Sequence, residues 1–162
     1  MKEFLLDLLT RVVLAGRQPR PLSHYAAMVD EVLEGLGVDG QREDDVEGSS
    51  WTLQVGSAVL AIALQPNEVM GEHTLAVSAA ILRLPSSELL AFYRRCLELN
   101  RILVGCSIGV DGDQVVVASE RSLIDLTPRA IARMLLNVAS AADQFDDDLA
   151  EEFGAEKLGP SA

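Results

Sequence analysis

The sequence has few of the residues from which catalytic and ligand sites are usually built. Of its 162 residues, two are histidines, two are cysteines and 4% are aromatic. Scarce aromatics leave little to stack against nucleic-acid bases. A net charge of −12 repels both nucleic acid and anionic membranes. We therefore expect neither as a partner, and the acidic surface favours solubility and, if anything, a basic partner.

Recognised reactive motifs are also missing. His24 and His73 lie in no nucleophile elbow or triad pattern, and Cys96 and Cys106 have neither CxxC spacing nor a partner cluster. Asp111-Gly112-Asp113 lacks the rest of a calcium loop, and there is no glycine-rich phosphate loop. The sequence therefore predicts no catalytic residue, no metal and no cofactor. The cysteines are interpreted as reduced core thiols, with a disulfide between them as the alternative.

Long hydrophobic runs are absent as well. No apolar stretch approaches the roughly 18 residues that a membrane-spanning helix needs. The opening MKEFLLDLLTRVV is interrupted by Asp7 and Arg11 and is not followed by a small-residue cleavage site, so it does not have the pattern of a signal peptide. We expect a cytoplasmic protein.

What is present is the composition of a folded domain, with 49% hydrophobic and 23% charged residues. Apolar residues recur at helical spacing in some segments of the chain and at every second position in others. They predict, in chain order, a helix over 2–15, a helix from Ser23 to Gly37, a polar loop over 39–48, strands at 50–55, 59–64 and 74–82, a helix over 87–99, strands at 103–110 and 114–119, and a last helix starting at Thr127 and Pro128. This order predicts an α+β fold with an antiparallel sheet.

Cap and turn residues mark several boundaries. Gly56-Ser57 and Asp111-Gly112-Asp113 are typical of hairpin turns. The predicted N-caps are Ser23, then Ser86 or Ser87, and finally Thr127 with Pro128 at the first helical position. The alanines of the 59–64 and 74–82 strands indicate that something packs closely against one face of the sheet.

The helix over 87–99 is apolar around most of its circumference, which is typical of a helix buried on two sides. One side fits the sheet. The other fits either a second subunit or a neighbouring helix of the same chain. The candidate dimer-interface residues on this helix are Leu89, Phe92, Tyr93 and Cys96.

The last helix ends in an acidic run, DQFDDDLAEEFG, residues 143–154. Asp143, Asp147 and Glu151 are spaced i, i+4 and i+8 and form an acidic ridge opposite the apolar stripe. Each like-charged pair costs about 0.2–0.5 kcal/mol, and carboxylates at a helix C-terminus oppose the macrodipole. Relief can come from a cation elsewhere in the fold, a basic partner or solvent screening. These three residues are therefore candidates for partner binding. The stripe itself is Ile131, Met134, Leu135, Val138, Ala142, Phe145 and Leu149.

The succession LLAFYRRCLELN and then GCSIGVDGDQVVVASERSLIDLTPRAIARMLLNVASAADQFDDDL resembles the YbjN-like branch of the type III secretion chaperone-like superfamily. The matching features are a helix ending in Leu-x-Leu-Asn, a glycine-containing strand, an Asp-Gly hairpin, a second strand, a linker with Leu123 and Leu126, and a helix with Ala-Asp-x-x-Asp. With the preceding elements the resemblance covers about residues 22–154. It implies the order α-β-β-β-α-β-β-α.

The resemblance also implies a small acidic bacterial protein, commonly homodimeric, that binds other proteins without catalysis. The helix after the third strand often contributes to dimerisation in this superfamily. Residues 1–21 are an extra N-terminal helix and proline-containing linker, and 155–162 are predicted to be a flexible tail. We expect a non-enzymatic chaperone-like or regulatory module acting as a homodimer. A narrower alternative is a dedicated type III secretion chaperone for one protein client. An alternative of another class is a small enzyme or a metal- or ligand-binding domain using the acidic helix end.

Overall fold

The computed structural model describes residues 20–46, 48–56, 58–67 and 71–158, so the helix predicted over 2–15 lies outside the described residues. The described helices are α1 (Leu22–Leu36), α2 (Leu89–Asn100) and α3 (Pro128–Phe153). The strands are β1 (Gly40–Asp44), β2 (Ser49–Val55), β3 (Ala58–Asn67), β4 (Glu72–Arg83), β5 (Ser107–Asp111) and β6 (Gln114–Ser122). They form one antiparallel sheet in the order β1-β2-β3-β4-β6-β5. The predicted α+β fold with an antiparallel sheet is confirmed.

One face of the sheet carries the hydrophobic core. Apolar side chains point to this face at alternate positions of the central strands, as strand geometry requires. Helix α3 contacts β3, β4 and β6, and α1 packs against α3 and β3. The largest fully buried sheet residues are Trp51, Leu60, Ile62, Leu64, Leu75, Leu82, Val77 and Val115.

The opposite face carries small side chains. Cross-strand pairing lines up Ala61, Ser78, Ala118 and Ser107 in one row over β3, β4, β6 and β5. Ala61 and Ser107 are exposed and the other two are half-buried. None of the four belongs to the core cluster formed by the described residues. On this face the described residues show nothing packed closely against the alanines; on the core face Ala79 of β4 is buried, where α3 packs against the sheet.

Helix α3 follows its prediction in detail. Thr127 has an extended backbone, and its hydroxyl accepts a hydrogen bond from the Ala130 N–H at 3.2 Å, with Pro128 at the first helical position. Every residue of the predicted stripe is buried, together with Ala141. Gly154 ends the helix in the left-handed conformation, at φ 62°.

Strand β1 corrects the sequence prediction of a polar loop over 39–48. It pairs with β2 from Gly40 opposite Leu53 to Asp44 opposite Ser49, yet all five of its residues are exposed. Its sequence, GQRED, contains no large apolar residue, so the strand has no alternating apolar pattern by which it could be predicted. Arg42 stabilises it instead, since its guanidinium binds Asp44 at 2.9 Å and lies 5.3 Å from the centre of the Trp51 ring.

Three other boundaries also differ from the prediction. Helix α1 begins at Leu22 with Pro21 before it and has no side-chain cap, so Ser23 is not its N-cap. The residue before α2 is Glu88, at φ 55°, rather than Ser86 or Ser87. The strand predicted over 103–110 begins only at Ser107.

Residues 155–158, called here the C-terminal segment, are held against β4. The Arg83 N–H donates to the Glu156 carbonyl at 2.8 Å, and the Leu158 N–H donates to the Ile81 carbonyl at 2.9 Å. Leu82 and Lys157 form an antiparallel bridge between these bonds. The sequence predicts a flexible tail from residue 155, and the structure shows this segment attached to β4 by one isolated bridge and two backbone hydrogen bonds; residues 159–162 lie outside the described part.

Candidate docking surface

Exposed large apolar side chains gather around α2 and β5. We call this group the α2–β5 surface. Its most exposed members are Leu90, Val104, Ile102 and Leu97, at 86%, 80%, 70% and 68%. The full set is Leu89, Leu90, Tyr93 and Leu97 on α2, Ile102 and Val104 in the following loop, and Val110 on β5. Such a concentration of exposed apolar side chains is typical of an interaction surface.

The opposite side of α2 fixes the helix to the core. Phe92 is fully buried, and its ring packs edge-to-face on Phe153 of α3 with 5.2 Å between ring centres. Arg95 adds an ion pair to Glu152 of α3 at 3.1 Å. Because one side of α2 is held in this way, Leu90, Tyr93 and Leu97, spaced i, i+3 and i+7, are presented together on the other side.

Asn100 connects α2 to the free edge of β5. Its side-chain amide donates to the Ile108 carbonyl at 3.0 Å and accepts from the Ile108 N–H at 2.7 Å. These are the two groups with which β5 would otherwise pair a further strand at Ile108. The edge is thereby closed at this residue, and the surface offers side chains rather than a free β-edge there.

The loop from α2 to β5 is supported by α3. The Asn137 side-chain amide donates to the Val104 carbonyl at 3.0 Å, and Gly105 takes a left-handed conformation at φ 74° beside it. These contacts hold the loop while Ile102 and Val104 point to solvent. A shallow groove of about 320 Å³ lies between helix and strand, lined by Tyr93, Cys96, Leu97, Asn100, Ile108, Gly109 and Val110.

The predicted dimer-interface residues divide between the core and the surface. Leu89 and Tyr93 are exposed, Cys96 is buried beside the groove, and Phe92 is inaccessible. Phe92 therefore packs between α2 and the core and is not part of the exposed surface. Sequence reasoning missed Ile102 and Val104, because they were assigned in part to a strand, and it missed the role of Asn100 at the end of the Leu-x-Leu-Asn pattern.

The two cysteines are free thiols. Burial raises the pKa of the Cys96 thiol and also that of the Cys106 thiol. The Cys106 sulfur lies 3.7 Å from the Asn137 carbonyl oxygen, to which it donates. A raised pKa leaves less thiolate at neutral pH, as expected for thiols that pack in or against the hydrophobic core.

Lys157 of the same chain contacts the acidic ridge at Asp147. Asp143, Asp147 and Glu151 are exposed as predicted. The Lys157 ammonium bonds Asp147 at 2.7 Å and Asp146 at 2.8 Å, and these hydrogen bonds raise the pKa of Lys157. Of the three sources considered for relieving the repulsion among these carboxylates, a cation elsewhere in the fold, Lys157, therefore supplies part.

The described residues contain no group of three or more His, Cys, Asp or Glu side chains arranged to hold a metal. His73 is exposed on β4, and His24 lies half-buried in α1 with its ring 2.7 Å from Arg20. None of the described helices is both long and apolar enough to cross a membrane.

Comparisons with known proteins give one family and a set of similar folds. A family model described as "YbjN: Putative bacterial sensory transduction regulator" matches residues 25–151. A search of curated proteins found no match.

Three solved structures illustrate the fold. A chain of the ExsC–ExsE complex is 17% identical, with 81% of this chain and 97% of that chain covered and a TM-score of 0.61. A chain from the complex of the Yersinia pestis type III secretion chaperone SycH with a YscM2 fragment is 20% identical, with 74% and 98% covered and a TM-score of 0.52. E. coli YbjN is 13% identical, with 82% and 95% covered and a TM-score of 0.52. At these identities the likeness shows a common fold. Because the family model spans well over half of the chain, this protein belongs to the YbjN family.

Proposed function

We propose that this chain is a non-enzymatic, chaperone-like protein-binding module of the cytoplasm that self-associates through the α2–β5 surface. The observation that carries the proposal is the concentration of exposed apolar side chains on adjacent elements, with α2 anchored from behind by Phe92. Fully burying a large apolar side chain contributes about 1.5–3 kcal/mol. If fully buried, the four most exposed members of the surface contribute about 6–12 kcal/mol per copy, which is of the same order as the cost of about 4–15 kcal/mol for docking two molecules.

Local charge opposes contact between two copies less at this surface than over the acidic remainder of the chain. Residues 89–110 contain three arginines, Arg94, Arg95 and Arg101, against the single acid Glu98, a net charge of +2. The whole chain carries −12, so most other surfaces repel a second copy. A two-fold axis beside α2 would bring Leu90, Tyr93 and Leu97 of each copy against the same residues of its partner.

Structures of similar fold include protein complexes, namely ExsC–ExsE and SycH with a YscM2 fragment. They support a protein or peptide client as the further partner of this chain, with a dedicated type III secretion client as the narrower form of the proposal. Asp143 and Glu151 stay candidate contacts for a basic client, since both are exposed on the same side of α3 as Asp147.

Light scattering after gel filtration tests the self-association. We expect Leu97→Glu to convert a dimer to a monomer that remains folded, because Leu97 is exposed in the single chain. Leu136→Glu is the matched control, since Leu136 is 62% exposed on α3 and lies outside the α2–β5 surface. A monomeric wild-type protein at micromolar concentration, or a dimer lost only in the Leu136 variant, would contradict the proposal.

A further inference from the structure

The C-terminal segment occupies a length of β4 that β3 leaves unpaired. The β3–β4 ladder ends at Ala61 opposite Ser78, although β4 continues to Arg83. On the other side β4 pairs with β6, and a bulge between Ala80 and Leu82 interrupts that register. On this edge, beyond the β3 ladder, β4 is contacted by the chain's own C-terminal segment through one isolated bridge and two backbone hydrogen bonds.

This contact has a side-chain component as well as a backbone component. The Lys157 ammonium lies between Asp146 and Asp147, and the Asp146 side chain is only 16% exposed. Arg83 binds the Glu156 carboxylate at 3.2 Å and also binds Asp113. Leu158, which follows Lys157 in the segment, is half-buried. We name the β4 residues 81–83 together with Asp146 and Asp147 the β4 edge site.

The contact made by the C-terminal segment is short. Two backbone hydrogen bonds join it to β4, and its ion pairs are largely exposed. The sequence continues Gly159-Pro160, and a proline has no N–H with which to extend a ladder. A strand of similar sequence without this proline would pair with more of β4, so it would compete well against the segment.

We propose that the β4 edge site is a second protein-binding site, and that it takes an extended peptide with an acidic residue, a lysine and an aliphatic residue in succession. The backbone of the peptide pairs with β4, its acidic residue meets Arg83, and its lysine binds Asp146 and Asp147. The Glu156-Lys157-Leu158 triplet occupies the site until such a strand displaces it. The site shares no residue with the α2–β5 surface, so this proposal and the proposed self-association succeed or fail separately.

Fluorescence anisotropy with a labelled peptide tests the site. The peptide copies residues 154–162 with Pro160→Val, and the host is the full chain carrying Lys157→Ala and Leu158→Pro, which removes the lysine and the N–H that bonds Ile81. We expect saturable binding to the host and at least about tenfold weaker binding to the wild-type chain, whose tethered segment competes at high effective concentration. A second peptide keeps the acidic-lysine-aliphatic triplet but has unrelated flanking residues. Its Kd should lie within about threefold of that of the first peptide, because the triplet makes the side-chain contacts of the site.

Matched changes separate the specific contacts from general charge. Replacing the lysine of the peptide by alanine, or adding Asp146→Asn and Asp147→Asn to the host, should weaken binding at least about fivefold. The control host carries Asp148→Asn and Glu34→Gln instead, which remove two carboxylates at exposed positions outside the site and should leave binding unchanged.

Three results would overturn the proposal. The first is a host with the wild-type melting temperature that binds neither peptide at millimolar concentration. The second is equal binding by host and wild type, or equal loss in the control host. The third is a host that does not fold, together with an unfolded chain truncated after Gly154, because the C-terminal segment would then be a permanent part of the fold.

Discussion

Asn100→Ala should destabilise the fold more than an ordinary exposed substitution, because one side chain completes the hydrogen bonding of a strand edge. The Asn100 amide makes two bonds to the backbone of Ile108, at 2.7 and 3.0 Å, and both are partly buried. Leaving a buried donor or acceptor without a partner costs about 1–3 kcal/mol. Since β5 is an edge strand and water can reach part of it, we expect a loss of about 2 kcal/mol for the pair.

Urea denaturation of the wild-type and variant chains measures this loss. The control is Asn137→Ala, which removes a single, more exposed bond to the Val104 carbonyl; we expect it to cost about 0.5–1 kcal/mol. Hydrogen exchange at the Ile108 amide supplies a local readout, because that N–H loses its only acceptor on the free edge. A cost below about 0.5 kcal/mol for Asn100→Ala, or one no larger than for Asn137→Ala, would refute the reasoning.

Two further predictions concern the core beneath α2. Phe92→Ala should lower the free energy of unfolding by about 3–5 kcal/mol, since Phe92 is fully buried against Phe153; calorimetry checks this, and an unchanged melting temperature would place Phe92 outside the core. Alkylation of the native protein at pH 8 should be slower than that of the urea-unfolded chain, because burial raises the pKa of Cys96 and of Cys106 and so lowers the thiolate fraction. The difference should shrink as the pH rises, whereas equal rates at pH 8 would contradict the burial of the thiols.

The elements that sequence reasoning predicted well are those determined by neighbours along the chain. The Thr127-Pro128 start of α3 and its apolar stripe depend on helical spacing and a local cap, and the structure confirms both. The hairpin at Gly112 is likewise local, with Asp111 paired to Gln114. Such signals are complete within a few residues, so a single sequence is enough to read them.

The features that were missed depend on residues distant in sequence. All residues of strand β1 are exposed. The strand is determined by its pairing with β2 and by the contacts of Arg42, and not by an apolar pattern. The C-terminal segment is held by β4, more than seventy positions earlier. On α2, periodicity showed two apolar sides but could not tell which faces the core, and Phe92 was therefore assigned to the interface. The partner of Asn100 became visible only once β5 was placed beside the helix end.

Concentration-dependent hydrogen–deuterium exchange of the wild-type chain tests the central claim, self-association through the α2–β5 surface, most directly. The loop over residues 101–106 lies outside the helices and strands, and its exposed side chains Ile102 and Val104 belong to the α2–β5 surface, so slower amide exchange in this loop reports contact with a second copy. We predict that exchange over residues 101–106 slows as the protein is raised from about 1 to about 100 micromolar, while the exposed strand β1 is unaffected. Exchange that is independent of concentration over 101–106, or protection that appears in β1 instead, would contradict the account.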